Sequence, residues 1–215
     1  TNIDVEVRKT YNLTKTQIAA QPFCLFISYS GNTEETISAA KNAIDKNLEW
    51  AAISSGGELR DLASKHNKKF VKVPDGLQPR AAFGLMTKAV VNYLPNQTKK
   101  IFINACEEAG NYLNNLTEDA SNEVFEISKD IANQIGSKTA VIYAGSDLTY
   151  LVAQRWKTQI NENSKSKAYV GFMPEVHHNE ILSWEADQEG SKNKFIFIRL
   201  RGDVYKKMDT GCEVP

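Results

Sequence analysis

Cysteine, histidine and net charge are all scarce in this chain of 215 residues, and each scarcity removes a class of explanation. The cysteines Cys24, Cys106 and Cys212 lie far apart with no CxxC spacing, which argues against a disulfide framework and fits a reducing compartment. Lys plus Arg number 26 and Asp plus Glu 26, so the formal net charge is zero. A neutral chain offers no basic field to nucleic acid or to an anionic membrane surface. No window approaches the roughly 20 continuous apolar residues of a membrane span. Thr1 to Thr16 is polar and lacks the apolar core of a signal peptide, so Asn-x-Thr sequons such as Asn115-Leu116-Thr117 carry no meaning for glycosylation. What is present is ordinary: 41% hydrophobic and 24% charged residues, a globular composition rather than a disordered, collagenous or coiled-coil one. The length suits one large domain or two small ones. The expectation is a soluble, intracellular, globular protein. Because the chain opens on Thr1 and closes on Pro215 just after an apolar run, it is also expected to be a fragment or to have missing parts.

Hydrophobic patterning predicts a repeated unit. Phe23 to Ile27 is a short apolar run, Ser28-Tyr29-Ser30-Gly31-Asn32-Thr33 a small polar turn, and Glu34 to Lys46 a helix with Ile37, Ala40 and Ile44 on one face. Asn32 with Glu35 has the form of a capping box. The unit returns as strand Trp50–Ile53, turn Ser54-Ser55-Gly56-Gly57 and helix Glu58–His66. It returns again as strand Phe70–Val73, turn Pro74-Asp75-Gly76 and helix Pro79–Tyr93. Such alternation predicts βαβ units and a parallel sheet. Leu94-Pro95-Asn96 breaks the pattern, and 97–136 reads as helical, a connector between two domains. The α/β pattern then resumes with strand Thr139–Ala144, a turn at Gly145-Ser146, a helix from Thr149 to Glu162, and strands at Lys167–Phe172 and Lys194–Leu200.

Several positions carry chemistry. The Ser28–Thr33 turn stands between a strand end and a helix start, where backbone N–H groups and the positive helix end favour an anion. Ser28, Ser30 and Thr33 can donate hydroxyl hydrogens to phosphate oxygens. A well-capped turn without ligand explains the same residues, and no Gly-Lys-Ser/Thr follows, so this is not a Walker A loop. Ser54-Ser55-Gly56-Gly57 reads as a turn for backbone reasons. Arg80 is expected in the first turn of a helix, against the dipole, which hints at function. Glu162 could act as a general base or stand as a surface carboxylate. Pro174 to Glu180 holds His177 and His178 beside Glu175. Adjacent side chains point apart and no HExxH spacing occurs, so a single His acting as acid or base fits better than a metal site.

Together these pieces are more specific than apart. Phe26–Thr36, Gln78–Ala82, Gln159–Lys165 and Pro174–Trp184 occur in the same order in one family. The sequence resembles the bifunctional phosphoglucose/phosphomannose isomerases, built from two SIS (sugar isomerase) domains, over nearly its whole length. The Ser-Tyr-Ser-Gly-Asn-Thr stretch marks SIS domains broadly. Asn161-Glu162-Asn163-Ser164-Lys165 and the Pro-Glu-x-x-His-Asn-Glu-Ile stretch from Pro174 to Ile181 are specific to this family.

The resemblance implies an α/β fold of two SIS-type αβα sandwich domains with parallel sheets: 1–95, a helical connector at 96–136, and 137–215. It implies a phosphate site at Ser28, Ser30 and Thr33, a catalytic base at Glu162, a ring-opening histidine at His178, and Arg80 stabilising an enediolate. His177 stands where the family varies. The family's Gly-rich loop on an earlier strand has no counterpart here, and neither does its catalytic lysine on a C-terminal helix, since Lys206 and Lys207 follow the last strand too soon. Each domain is therefore expected to be incomplete, and the isolated chain to have its activity in question. The implied reaction converts glucose 6-phosphate and mannose 6-phosphate to fructose 6-phosphate through a cis-enediolate. It needs no metal or organic cofactor. The implied setting is a cytoplasmic homodimer with shared active sites that uses neither nucleic acid nor membrane. The rivals are a sugar-phosphate-sensing SIS module without catalysis and an SIS isomerase for another sugar phosphate. A sensor would not need Glu162, Arg80 and His178 together, and the Pro174 stretch argues against the other isomerases.

Overall fold

The fold rests on two three-stranded parallel sheets, seen in a computed structural model that describes residues 4–118, 123–145 and 147–202. Ser146, Lys206, Lys207 and Cys212 lie outside the described residues. The chain divides into two compact units, Thr1–Asn115 and Leu116–Pro215. Among the described residues, no helix is long and apolar enough to cross a membrane.

In the first unit, helix α1 (Lys15–Ala19) leads into strand β1 (Cys24–Ile27), then α2 (Glu34–Asp45), β2 (Trp50–Ser54), α3 (Gly57–Lys65) and β3 (Lys69–Lys72). The sheet order is β1-β2-β3, with Phe26 beside Ala52 and Ile53 beside Val71. The central strand β2 is buried at every residue, which is why it alternates nothing and carries only Trp50, Ala51, Ala52, Ile53 and Ser54. On one face, Phe26 meets Trp50 edge-on at 5.9 Å, packed with Ile37, Ala40 and Ala43 of α2 and Leu59 and Ala63 of α3. On the other face, Ile53 and Val73 pack against Ala89 of α4 (Phe83–Val91). Helices thus cover both faces, as an αβα sandwich requires. Helix α5 (Asn96–Glu118) follows and carries the division between the units.

Two local expectations are corrected here. No capping box forms on Asn32: the N-cap of α2 is Thr33, and the Asn32 side chain accepts a hydrogen bond from the Glu58 N–H at 2.9 Å instead. Asn32 therefore serves the start of α3 rather than of its own helix. The single helix expected over Pro79–Tyr93 is split. Pro79–Ala81 is a 3₁₀ turn and α4 begins only at Phe83, so Arg80 does not occupy the first turn of an α-helix. Gln78 is extended, as a residue before proline prefers, and Ala82 sits near ψ zero between the two pieces.

In the second unit, α6 (Glu123–Ile135) precedes β4 (Thr139–Ala144) and α7 (Asp147–Gln159), and a π-helical turn (Ile160–Ser164) ends α7. Strand β5 (Ala168–Phe172) is followed by α8 (Val176–Asn179), α9 (Ile181–Ala186), α10 (Gln188–Lys194) and β6 (Phe195–Leu200). The order β5-β4-β6 puts β4 in the centre, where Ala140 to Ala144 are all buried. Gly171 of β5 lies against the Tyr143 ring and Val176, and a Cβ there would reach both at under 3 Å. Helix α10 has no apolar periodicity to announce it; Asp187 caps it by accepting from the Gly190 N–H at 3.0 Å.

Candidate active site

The hydroxyl turn of the first unit is held together by two consecutive strand-to-helix turns. The Ser55 N–H donates to the Tyr29 carbonyl at 2.8 Å, the Leu59 N–H to the Gly31 carbonyl at 2.9 Å, and the Ser55 hydroxyl to the Tyr29 carbonyl at 2.7 Å. Gly31 has φ +71° and its missing Cβ would run into the Gly56 carbonyl, so only glycine fits. The Ser54–Gly57 turn thus buttresses its neighbour, in keeping with its reading as backbone structure.

Within the turn the hydroxyls have distinct places. Ser28 is buried, accepts from the Gly31 N–H at 3.1 Å, and shares a hydrogen bond with the Thr33 hydroxyl at 2.7 Å. Ser30 is exposed and accepts from the Asn32 N–H at 3.2 Å, which leaves its own proton to donate. Thr33 is exposed, and with its hydroxyl tied to Ser28 it makes no capping bond to α2. The first turn of α2 is therefore without a side-chain cap, a suitable cradle for an anion. Glu34 and then Glu35, in the first turn of α2, push the Tyr11 phenol upward in pKa. The Ser28 hydroxyl thus belongs to the interior of the turn, whereas Ser30 and Thr33 lie at its surface.

Arg80 stands at the same carboxyl edge of the first sheet, half-buried, on the loop that leaves β3. Tyr29 ties this loop to the hydroxyl turn. Its phenol donates to the Pro74 carbonyl at 3.1 Å and accepts from the Leu77 N–H at 2.9 Å.

In the second unit Glu162 and His178 are both exposed but are not brought together. Glu162 lies in the π-helical turn that ends α7, ahead of β5, and His178 lies in α8, after β5. In a parallel β-α-β crossover the helix returns the chain to the amino edge of the sheet, so the two side chains stand at opposite edges, separated by five residues of strand at roughly 3.3 Å each. π-helical turns are rare and often occur at functional sites. Asn161 closes this one, donating from Nδ2 to the Ser166 carbonyl at 3.0 Å.

The segment carrying His178 is fixed by residues that local sequence reasoning overlooked. Val176 is buried against Val141 and Tyr143. The Tyr143 hydroxyl donates to Glu180 Oε2 at 3.0 Å, and Trp184 Nε1 donates to the Tyr143 hydroxyl at 2.8 Å. Burial, and then the bond to Glu180, push the Tyr143 phenol up to about 12, while the Trp184 bond works the other way. Trp184 also meets Phe195 and Phe197 edge-on at 5.1 and 4.9 Å. Glu180 and Trp184 fall inside the Pro174–Trp184 stretch, which is the only sequence signal they give.

The family described as "Bacterial phospho-glucose isomerase C-terminal SIS domain" matches residues 126–213. A bifunctional phosphoglucose/phosphomannose isomerase of Caldicellulosiruptor bescii is 36% identical over 232 residues, covering 97% of this chain and 67% of its own. The chain belongs to the bifunctional phosphoglucose/phosphomannose isomerase family. The isomerase of this family from Aquifex aeolicus is 37% identical over 197 residues, 86% of this chain and 57% of its own length, so the chain spans only part of the relatives it matches. A D-glucosamine-6-phosphate 4-epimerase of Sulfolobus acidocaldarius is 32% identical over 91% of this chain and 60% of its own. Beyond the isomerase family, the C-terminal domain of glucosamine-fructose-6-phosphate aminotransferase from Francisella tularensis is 18% identical. It superposes with a TM-score of 0.56, covering 86% of this chain and 53% of that one, and so shares the fold.

Proposed function

We propose that the protein containing this chain isomerises glucose 6-phosphate and mannose 6-phosphate to fructose 6-phosphate. The observation that carries this reading is the hydroxyl turn at the uncapped start of α2, a fitting anchor for the phosphate of a sugar whose reacting carbons lie far from it. Holding the phosphate positions the distant carbons and supplies binding energy that the chemistry can use. His178 passes a proton to the ring oxygen as the anomeric hydroxyl loses its own, which opens the ring. Glu162 removes the C2 proton and returns it to C1, the hydroxyl proton of O2 passes to O1, and the enediolate charge between these transfers meets the guanidinium of Arg80. The planar enediol has lost its C2 stereochemistry, so one enzyme accepts both aldoses. None of these steps calls for a metal or organic cofactor. The same reading assigns 1–95 and 137–215 to two SIS domains with a helical connector between them, in a cytoplasmic enzyme.

The placement of Glu162 and His178 at opposite edges of one sheet supports an active site shared between two copies, with His178 supplied by the partner. Mixing full-length Glu162→Gln and His178→Ala chains, unfolding and refolding them together, is expected to restore part of the activity through mixed dimers. Zero recovery with mixed dimers present would remove the shared site but leave the isomerase. The principal experiment follows the full-length protein with glucose 6-phosphate in deuterated water. Fructose 6-phosphate with deuterium exchanged from solvent is expected. The kinship with a 4-epimerase favours a second reading, in which an aldose 6-phosphate returns inverted at C4 with no ketose; that product would displace the first.

A further inference from the structure

His178 sits on a four-residue helix, Val176–Asn179, too short to hold a catalytic side chain still on its own. What holds it lies two residues away on either side. Val176 is 3% exposed and packs on Val141 and Tyr143 of the central strand. Glu180 accepts from the Tyr143 hydroxyl at 3.0 Å, and that hydroxyl accepts from Trp184 Nε1 at 2.8 Å. The Glu180 N–H also donates to the Val176 carbonyl at 3.0 Å, closing the helix between the two anchors. The Tyr143 ring stacks on Phe197 at 6.1 Å and Trp184 packs edge-on against the same ring, so donor and acceptor are both rigid.

We propose that Glu180 is a positioning residue, which with Tyr143 and Trp184 sets the height of His178 above the carboxyl edge of the second sheet. The proposal rests on the reading of His178 as the ring-opening group. The acceptor must be an oxygen on a side chain of this length. An amide oxygen can take the same bond from Tyr143, whereas a methyl group cannot. The phenol keeps its proton throughout the working range, because burial holds its pKa near 12. Misplacing a reacting group by about 1 Å can cost roughly 100-fold in rate.

Ring opening can be read apart from isomerisation. In full-length protein carrying Glu162→Gln, C2 proton transfer is blocked, and interconversion of the α and β anomers of glucose 6-phosphate, measured by NMR exchange, reports His178 alone. Adding Tyr143→Phe or Glu180→Ala is expected to slow anomerisation roughly 10–100-fold, with the affinity for the sugar phosphate unchanged. Combining the two should cost no more than either, since one hydrogen bond serves both. Glu180→Gln is expected to recover most of the rate lost in Glu180→Ala. Ile142→Val, in the separate core cluster on the opposite face of β4, serves as a control for lost stability and is expected to anomerise at the parent rate. If His178→Ala abolishes anomerisation while Tyr143→Phe and Glu180→Ala leave it intact, the positioning role is wrong and the ring-opening role stands. If His178→Ala leaves anomerisation intact, the ring-opening role fails and the positioning role with it. A loss in Ile142→Val matching that in Tyr143→Phe would reduce the network to core stability and overturn the proposal.

Discussion

The two units solve the same problem, holding a few polar groups at the edge of a parallel sheet, by different means. In the first unit the hydroxyl turn is braced mainly through backbone, with successive strand-to-helix turns exchanging N–H and carbonyl groups between Tyr29, Gly31, Ser55 and Leu59. In the second, His178 is braced by side chains far apart in sequence, Tyr143, Glu180 and Trp184. A backbone brace tolerates change in most side chains but not at the glycines. A side-chain brace tolerates change in the backbone around it but not at its hydroxyl or carboxylate. The difference also suits the tasks assigned above, since binding an anion needs many donors at one place, whereas proton transfer needs one group at one height.

The largest effect expected on the second unit is at Glu162. Glu162→Gln in the full-length protein should lower isomerisation and C2 solvent exchange by about 10²–10⁴-fold, the worth of a placed base, while calorimetry shows sugar phosphate still binding. Undiminished exchange would return Glu162 to the status of a surface carboxylate. The first unit should respond in the opposite manner. Ser30→Ala and Thr33→Ala should each weaken binding of glucose 6-phosphate by about 1.5–3 kcal/mol, the value of a hydrogen bond to a charged group. The melting temperature should stay nearly unchanged in Ser30→Ala and fall in Thr33→Ala, which takes away the partner of the buried Ser28 hydroxyl. Ser28→Ala should weaken binding and also lower stability, because its buried hydroxyl braces the turn. Unchanged affinity in all of these variants would place the phosphate elsewhere.

The brace itself is tested at Gly31. Gly31→Ala forces a side chain into the left-handed region against the Gly56 carbonyl, and urea unfolding should show a loss of about 1–3 kcal/mol. A wild-type midpoint would mean that the two turns part easily. The smallest effect is on pH dependence in the second unit. Tyr143 has its pKa raised from 10.0 to about 12 on folding. Below pH 10 the phenol is protonated in both states and its contribution is fully present. Between about 10 and 12 the unfolded chain ionises while the folded one does not, so stability is lost as pH rises. Tyr143→Phe should flatten that part of the stability profile, and an identical slope in both proteins would contradict the burial argument.

This contrast also decides what was legible in the sequence. The strands Trp50–Ile53 and Thr139–Ala144 were readable because they are central, and a central parallel strand must be apolar throughout. The face of α2 was readable from Ile37, Ala40 and Ile44 at helical spacing, all turned to the first core. The Ser28–Thr33 turn was readable because its chemistry is contiguous. Asn32 misled because its partner is the Glu58 N–H, 26 residues on, a contact made by the sheet rather than by the local helix. Arg80 misled because a buried Ala82 interrupts the helix that the proline announces. Helix α10 was not readable, since Asp187 caps a segment with no apolar face. The bond from Tyr143 to Glu180 spans 37 residues, and no pattern within either segment foretells it.

Tyr29 gives the first unit one further property. Its phenol pins Pro74 and Leu77, and hence the loop bearing Arg80, to the turn that carries Ser28, Ser30 and Thr33. On the proposed reading, one end of this rigid piece holds the phosphate and the other meets the oxygens of the reacting carbons. The pair then works as callipers, and the gap between the jaws is set by the protein rather than adjusted by the guest. A six-carbon phosphate that spans the gap reacts. A five-carbon one, gripped as firmly at its phosphate, stops a carbon short of Arg80 and should bind with similar affinity but turn over far more slowly. Loosening the hinge with Tyr29→Phe should narrow that difference by slowing the six-carbon sugar, because the jaws no longer keep their distance.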